Sequence, residues 1–96
     1  MNGPEIRVDC TDEAKFRIVQ EVAREFAASE RVLTLDGARV EFEGPEFDGG
    51  WGLVRASNTQ PVLVLRFESK SAKGYERIES RFREALARYP EVSWPA

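Results

Sequence analysis

The spacing of apolar residues along the chain predicts where its strands and helices lie. Between residues 5 and 10 apolar and charged residues alternate, which is typical of a half-buried strand. From Asp12 to about Ala28 the apolar residues recur at steps of three and four, which predicts an amphipathic helix with Thr11 as its N-cap. The apolar stripe of that helix contains Phe16, Val19, Ala23 and Phe26.

In the middle of the chain every second residue is apolar, which indicates strands. Asp36-Gly37 predicts a two-residue hairpin between the first two of them. The last strand is the most apolar stretch of the chain, so we expect it at the centre of the sheet with both faces covered. The four predicted strands span residues 32–35, 38–43, 51–56 and 62–67.

A second helix completes the pattern. Ser71 is suited to cap this helix, its apolar stripe runs from Tyr75 to Tyr89, and Pro90 ends it. The element order is therefore β-α-β4-α, and two helices against a mainly antiparallel sheet predict a two-layer α+β fold. We expect residues 1–96 to form a single domain, because chains divide into several cores only beyond about 250 residues.

Charge and composition exclude several classes of function. The chain has 14 basic and 17 acidic residues, and its net charge of −3 disfavours binding to nucleic acid or to an anionic membrane. The absence of histidine excludes Ser-His and Cys-His dyads, and with Cys10 as the single cysteine we expect neither a metal site nor an internal disulfide. No apolar run reaches the roughly 18 residues of a membrane span, so we expect a cytoplasmic protein.

The segment Arg55-Ala56-Ser57-Asn58-Thr59-Gln60-Pro61, between two predicted strands, concentrates groups that bind anions. The guanidinium of Arg55 offers a planar fork of donors to phosphate oxygens. Ser57, Asn58 and Thr59 add neutral donors, and their main-chain N–H groups can form a concave anion-binding nest. None of these side chains is suited to act as an acid or a base. The segment therefore predicts phosphate capture and no catalytic residue.

The same composition also fits a purely structural turn. Ser57, Asn58 and Thr59 can bond to their own main chain and close a hairpin without any ligand. The two tryptophans, Trp51 and Trp94, have a similar structural interpretation, because an aromatic residue near a strand or chain end usually covers the core or a sheet edge.

A longer stretch around this segment resembles a known family. Residues 36–40 and 50–68 are similar to the C-terminal domain of the bacterial α-D-phosphohexomutases, the phosphomannomutases/phosphoglucomutases. That family carries an Arg-x-Ser-Asn-Thr-x-Pro loop that holds the phosphate of the substrate. The resemblance extends over nearly the whole chain and implies a TATA-binding-protein-like fold. The phosphate-holding residues that it implies here are Arg55, Ser57, Asn58 and Thr59.

Three details refine this resemblance. Asn58 stands where phosphoglucosamine mutases typically carry glycine, which favours the phosphomannomutase/phosphoglucomutase branch. Gln60 replaces the usual Glu or Thr, and the loop from Gly44 to Gly50 is longer than the common form. Neither departure affects the four phosphate-holding residues.

The resemblance implies reversible phosphoryl transfer between C1 and C6 of a hexose phosphate. Its substrates would be the 1- and 6-phosphates of glucose or mannose, with Mg²⁺ and a phosphoserine supplied by other domains of the full-length enzyme. This sequence contains neither an Asp-x-Asp-x-Asp cluster nor a Ser-His-Asn-Pro segment. We therefore expect no cofactor in this chain, no activity from it alone, and the other domains of the enzyme as its partners.

Two other functions are compatible with the residues. An acylphosphatase-like enzyme also places an Arg and an Asn near a phosphoryl group, but it needs a glycine-rich loop where this chain reads Asp9-Cys10-Thr11-Asp12. An interaction module of the same fold would bind protein or RNA through its sheet, and the acidic charge disfavours RNA.

Overall fold

A computed structural model describes residues 1–95 and contains two α-helices and six strands. A short 3-10 turn, Pro45–Phe47, lies in the loop between the third and fourth strands. The helices are α1, Lys15–Ala27, and α2, Ala72–Leu86. The strands are β1, Ile6–Cys10; β2, Arg31–Leu33; β3, Ala38–Glu41; β4, Trp51–Ala56; β5, Val62–Glu68; and β6, Val92–Ser93.

The strands form one antiparallel sheet in the order β2-β3-β4-β5-β1-β6, and both helices pack against it. The predicted two-layer α+β fold is therefore confirmed. The position of β5 inside the sheet is confirmed as well, since it lies between β4 and β1. Leu63, Val64 and Leu65 are all buried, but the next residue, Arg66, is exposed, so the second face of β5 is covered only in part.

Five phenylalanine side chains fill the space between the helices and the sheet. Phe82 of α2 is fully buried, and its ring centroid lies 4.9 Å from that of Phe26 on α1 and 5.3 Å from that of Phe67 on β5. Gly52 of β4 faces the same ring, and a Cβ atom there would stand 2.3 Å from Phe82 Cε2. The absence of a side chain at Gly52 therefore lets α2 approach the sheet. The aromatic cluster consists of Phe26, Phe42, Phe47, Phe67 and Phe82.

The start of α1 differs from its prediction. The helix begins at Lys15, and the main-chain carbonyl of Thr11, not its side chain, accepts hydrogen bonds from the N–H groups of Ala14 and Lys15. The predicted N-cap at Thr11 is therefore wrong. The prediction that Phe16 belongs to the buried stripe of this helix is also wrong, because Phe16 is 53% exposed while Lys15, the residue before it, is buried. Successive helical residues point about 100° apart, so Phe16 lies outside the buried stripe that Lys15 begins.

Other local predictions have mixed outcomes. Ser71 does cap α2, since its Oγ accepts the N–H of Gly74 at 3.0 Å. The two-residue hairpin is wrong, because β2 ends at Leu33 and residues 34–37 form a longer loop with Gly37 at a φ of 80°. The strand β6 was not predicted, since two residues are too few to show a period.

We expect Phe82→Ala to lower the free energy of unfolding by about 3–5 kcal/mol, because it removes a fully buried ring from the aromatic cluster. Phe16→Ala is the matched control: the same change at a half-exposed helical site should cost about 0.5 kcal/mol or less. Denaturant unfolding of the 96-residue chain measures both. Equal losses in the two variants would contradict this account of the core.

Candidate functional site

The anion-binding segment lies where β4 turns into β5. The last register pair of the two strands is Ala56 with Leu63, and the N–H of Ser57 donates to the carbonyl of Val62 at 3.1 Å. Residues 57–61, here called the β4–β5 loop, therefore project from the end of two central strands. Arg55 lies on β4, two residues before Ser57, which is the first residue of the loop. It is half-buried.

Ser57 determines the shape of the β4–β5 loop. It is buried, and its Oγ accepts the main-chain N–H groups of Thr59 at 3.2 Å and of Gln60 at 3.1 Å. The hydroxyl of Thr59 also lies 3.4 Å from Ser57 Oγ. This is the serine turn that the composition allowed as an alternative. The Ser57 hydroxyl thus holds the loop together from the inside.

Most main-chain N–H groups of the loop already donate a hydrogen bond to the protein. Those of Ser57, Thr59 and Gln60 are hydrogen-bonded, as described, and Pro61 has none. The N–H of Asn58 has no hydrogen-bond partner within residues 1–95, and Asn58 is exposed. The predicted nest of three N–H groups is therefore wrong, and of the three only the N–H of Asn58 is left without a partner within residues 1–95.

A groove of about 610 Å³ lies beside the loop, between α1 and the loop 34–37. Arg55 and Asn58 are among the residues that line it, whereas Ser57 and Thr59 are not. The structure therefore brings two of the four predicted site residues to one cavity. Arg24 of α1 adds a second guanidinium to the lining and Asp36 adds one carboxylate. The charged groups of the groove are thus predominantly cationic, although the chain as a whole is acidic.

Lys15 is a part of this region that the sequence analysis did not identify. It is 5% exposed, and its Nζ donates to Asp12 Oδ1 at 2.8 Å and to the carbonyl of Gln60 at 3.1 Å. Its place at the start of the buried stripe, three and four residues before Ile18 and Val19, is the signal that could have located it.

Cys10 lies next to the β4–β5 loop, and its side chain is shielded from solvent. Its main-chain N–H donates to the carbonyl of Pro61 at 2.9 Å, and the residue is 3% exposed. Burial raises the pKa of the Cys10 thiol, and the negative charge of Glu91 raises it further. The reactive thiolate is therefore disfavoured, as expected for a structural cysteine.

Residues 1–95 contain neither a cluster of metal ligands nor a membrane-spanning helix. No three Asp, Glu or Cys side chains in that range come together in a way that could hold a metal ion. The Mg²⁺ that the resemblance implies for a full-length enzyme thus has no fitting ligand set here. No helix in the same range combines the length and the apolar character needed to cross a membrane.

Comparison with known proteins identifies the family. Residues 5–85 match the family described as phosphoglucomutase/phosphomannomutase, C-terminal domain. The chain belongs to this family. The resemblance noted in the sequence is thereby confirmed.

Relatives within the family are much longer than this chain. The phosphomannomutase/phosphoglucomutase of Pseudomonas putida is 49% identical over 97 aligned positions, which cover 99% of this chain and 20% of that protein. The phosphoglucomutase of Neisseria gonorrhoeae is 39% identical over 98 positions, with the same two coverages. The chain therefore spans about one fifth of the length of these curated relatives.

A solved structure of the family has the same fold. The crystal structure of a phosphoglucomutase/phosphomannomutase family protein from Burkholderia thailandensis matches this chain with a TM-score of 0.72 and 35% sequence identity. The match covers 100% of this chain and 19% of that one. The family and its α+β fold are therefore supported by sequence and by structure alike.

We expect Cys10 of the native chain to react with a thiol reagent at pH 8 at least about a hundredfold more slowly than in the denatured chain. Burial limits access to the sulfur, and its raised pKa lowers the thiolate fraction at any given pH. The labelling rate with and without denaturant measures the difference. Complete labelling of the native chain at the denatured rate would contradict it.

Proposed function

We propose that this chain is the C-terminal substrate-binding domain of a phosphohexomutase. In this role Arg55 and the β4–β5 loop hold the non-reacting phosphate of glucose or mannose phosphate during reversible transfer between C1 and C6. The family match supports this function over an acylphosphatase-like enzyme or an interaction module. The full-length enzyme would supply the phosphoserine and Mg²⁺ from its other domains.

The observation that carries the proposal is the environment of Arg55. Six lysine and arginine side chains in residues 1–95 have no ion pair, and five of them are exposed; Arg55 is the one that is half-buried. A guanidinium partly withdrawn from water without a counter-ion is unfavourable for the folded state. Such a group gains most from an anion that arrives from outside, and phosphate matches its planar fork of donors.

The remaining polar groups of the loop fix its conformation and orient the phosphate. Ser57 is occupied in holding the turn, so its role is to keep the loop in one conformation. The exposed side chain and the unpaired N–H of Asn58 are then available to a phosphate oxygen. Thr59 is also exposed, and its hydroxyl would donate to the ligand in place of its 3.4 Å contact with Ser57 Oγ. Arg55 thus supplies charge, and Asn58 and Thr59 supply orientation.

Holding the distant phosphate contributes to catalysis by fixing the substrate. A reactant held in a near-attack orientation avoids several kcal/mol of the activation barrier, because its rotational and translational freedom is lost on binding. No carboxylate belongs to the β4–β5 loop, so the loop lacks the charged acceptor that binds sugar hydroxyls most strongly. This absence suits a loop that must accept either phosphate of a bisphosphorylated sugar after the sugar reverses its orientation.

In the full-length enzyme, we expect Arg55→Ala to reduce kcat/KM about tenfold to a few hundredfold, the scale of lost charged hydrogen bonds. Arg66→Ala is the matched control, because Arg66 is also unpaired but is fully on the exposed surface of β5. Steady-state kinetics with glucose 1-phosphate measures both variants. Wild-type efficiency of a correctly folded Arg55→Ala enzyme would disprove the proposed role.

In the 96-residue chain, we expect phosphate to be recognised almost independently of the sugar. Inorganic phosphate, glucose 1-phosphate, glucose 6-phosphate and mannose 1-phosphate should shift the same amides, from Arg55 to Gln60, with the largest shift at Asn58. Affinity should be millimolar or weaker, about −4 kcal/mol, and should fall as salt rises. NMR titration of labelled chain tests this, with unphosphorylated glucose as the control. Competition by glucose, or different surfaces for the four ligands, would contradict the proposal.

A further inference from the structure

Lys15 is the one charged side chain in residues 1–95 that is buried. An ammonium group that leaves water needs protein partners to replace its hydration. Asp12, one of its two partners, lies three residues before it in the same turn of chain. The other, the carbonyl of Gln60, is 45 residues further along, at the far end of the β4–β5 loop. The second bond therefore joins α1 to the loop.

Gln60 is the residue on which the contacts of the loop converge. Its carbonyl accepts the N–H of Val62 at 2.8 Å in addition to Lys15 Nζ, so both lone pairs of that oxygen are used. Its own N–H donates to Ser57 Oγ. Its side chain accepts from Arg7 Nη1 at 2.6 Å, a contact at the exposed surface. A buried cation thus holds the same residue that closes the serine turn.

We propose that Lys15 is a positioning residue for the β4–β5 loop. Its ammonium group fixes the main chain at Gln60, and the bond from Gln60 to Ser57 transmits that constraint to Asn58. The N–H of Asn58 is thereby held ready for a phosphate oxygen. The inference rests on the proposed function of the loop, and it assigns to Lys15 no contact with the ligand.

The test compares two lysine substitutions in the labelled 96-residue chain. Lys15→Met keeps the length of the side chain and removes the charge. The Asp12 carboxylate that loses its partner is 65% exposed, so no unpaired charge is left buried. Lys73→Met is the matched control, because Lys73 lies in the first turn of the other helix but is exposed. Amide hydrogen exchange, thermal unfolding and titration with inorganic phosphate are measured for each.

For Lys15→Met we expect faster amide exchange at Thr59 and Gln60 and roughly three- to tenfold weaker binding of phosphate, the scale of one hydrogen bond. The unfolding temperature and the exchange in α2 should stay close to wild type. Lys73→Met should match wild type in all three measurements. Unchanged exchange at Thr59 and Gln60 in Lys15→Met, or unchanged phosphate affinity, would overturn the inference.

Two measurements that need no ligand distinguish failure of this inference from failure of the proposed function. If phosphate and glucose 1-phosphate fail to shift any amide of the wild-type chain, the proposed function fails, while the ligand-free exchange data still decide whether Lys15 orders the loop. If Lys15→Met does not fold, the wild-type chain provides the readout. Its Lys15 ammonium group should give an observable ¹⁵N resonance with hydrogens protected from water, and a rapidly exchanging ammonium would overturn the inference.

Discussion

The pairing of β4 with β5 is the constraint on which the rest of the structure depends. Six register pairs, from Trp51 with Glu68 to Ala56 with Leu63, hold the two strands together along the whole of β4. At one end, Gly52 and Phe67 form the surface on which Phe82 and α2 rest. The opposite end carries the β4–β5 loop. The same hairpin therefore supports the core and presents the site.

The candidate site combines internal hydrogen bonds with donors that are left without a partner. Its internal bonds consume the Ser57 hydroxyl and most main-chain N–H groups, so little conformational freedom remains to be lost on binding. What is left unpaired is a half-buried guanidinium and one N–H. These two donors differ. The guanidinium of Arg55 is charged and carries several N–H groups in one plane, whereas the main-chain N–H of Asn58 is a single neutral donor.

Local signals in the sequence predicted some elements correctly and failed at others, such as the cap at Thr11 and the turn at Asp36-Gly37. The serine cap of α2 and the apolar strand β5 were predicted correctly, since each depends on neighbours in the chain. The place of Lys15 in the buried stripe of α1 is a local signal too, but its partner Gln60 becomes a neighbour only through the sheet. Composition likewise cannot show whether the Ser57 hydroxyl binds main chain or ligand; that depends on the closed turn. The two-residue strand β6 exists only because β1 is there to pair with it.

The position of β1 in the sheet has a consequence for how this chain acquires its structure. Although β1 precedes the other five strands in this sequence, its neighbours are β5 and β6, which are separated from it by more than fifty residues of sequence. Contacts between distant segments slow folding, because the intervening chain must lose entropy before they form. We therefore expect the pairing of β1 with β5 to form late in folding. The hairpins β2–β3 and β4–β5 are local and can form earlier.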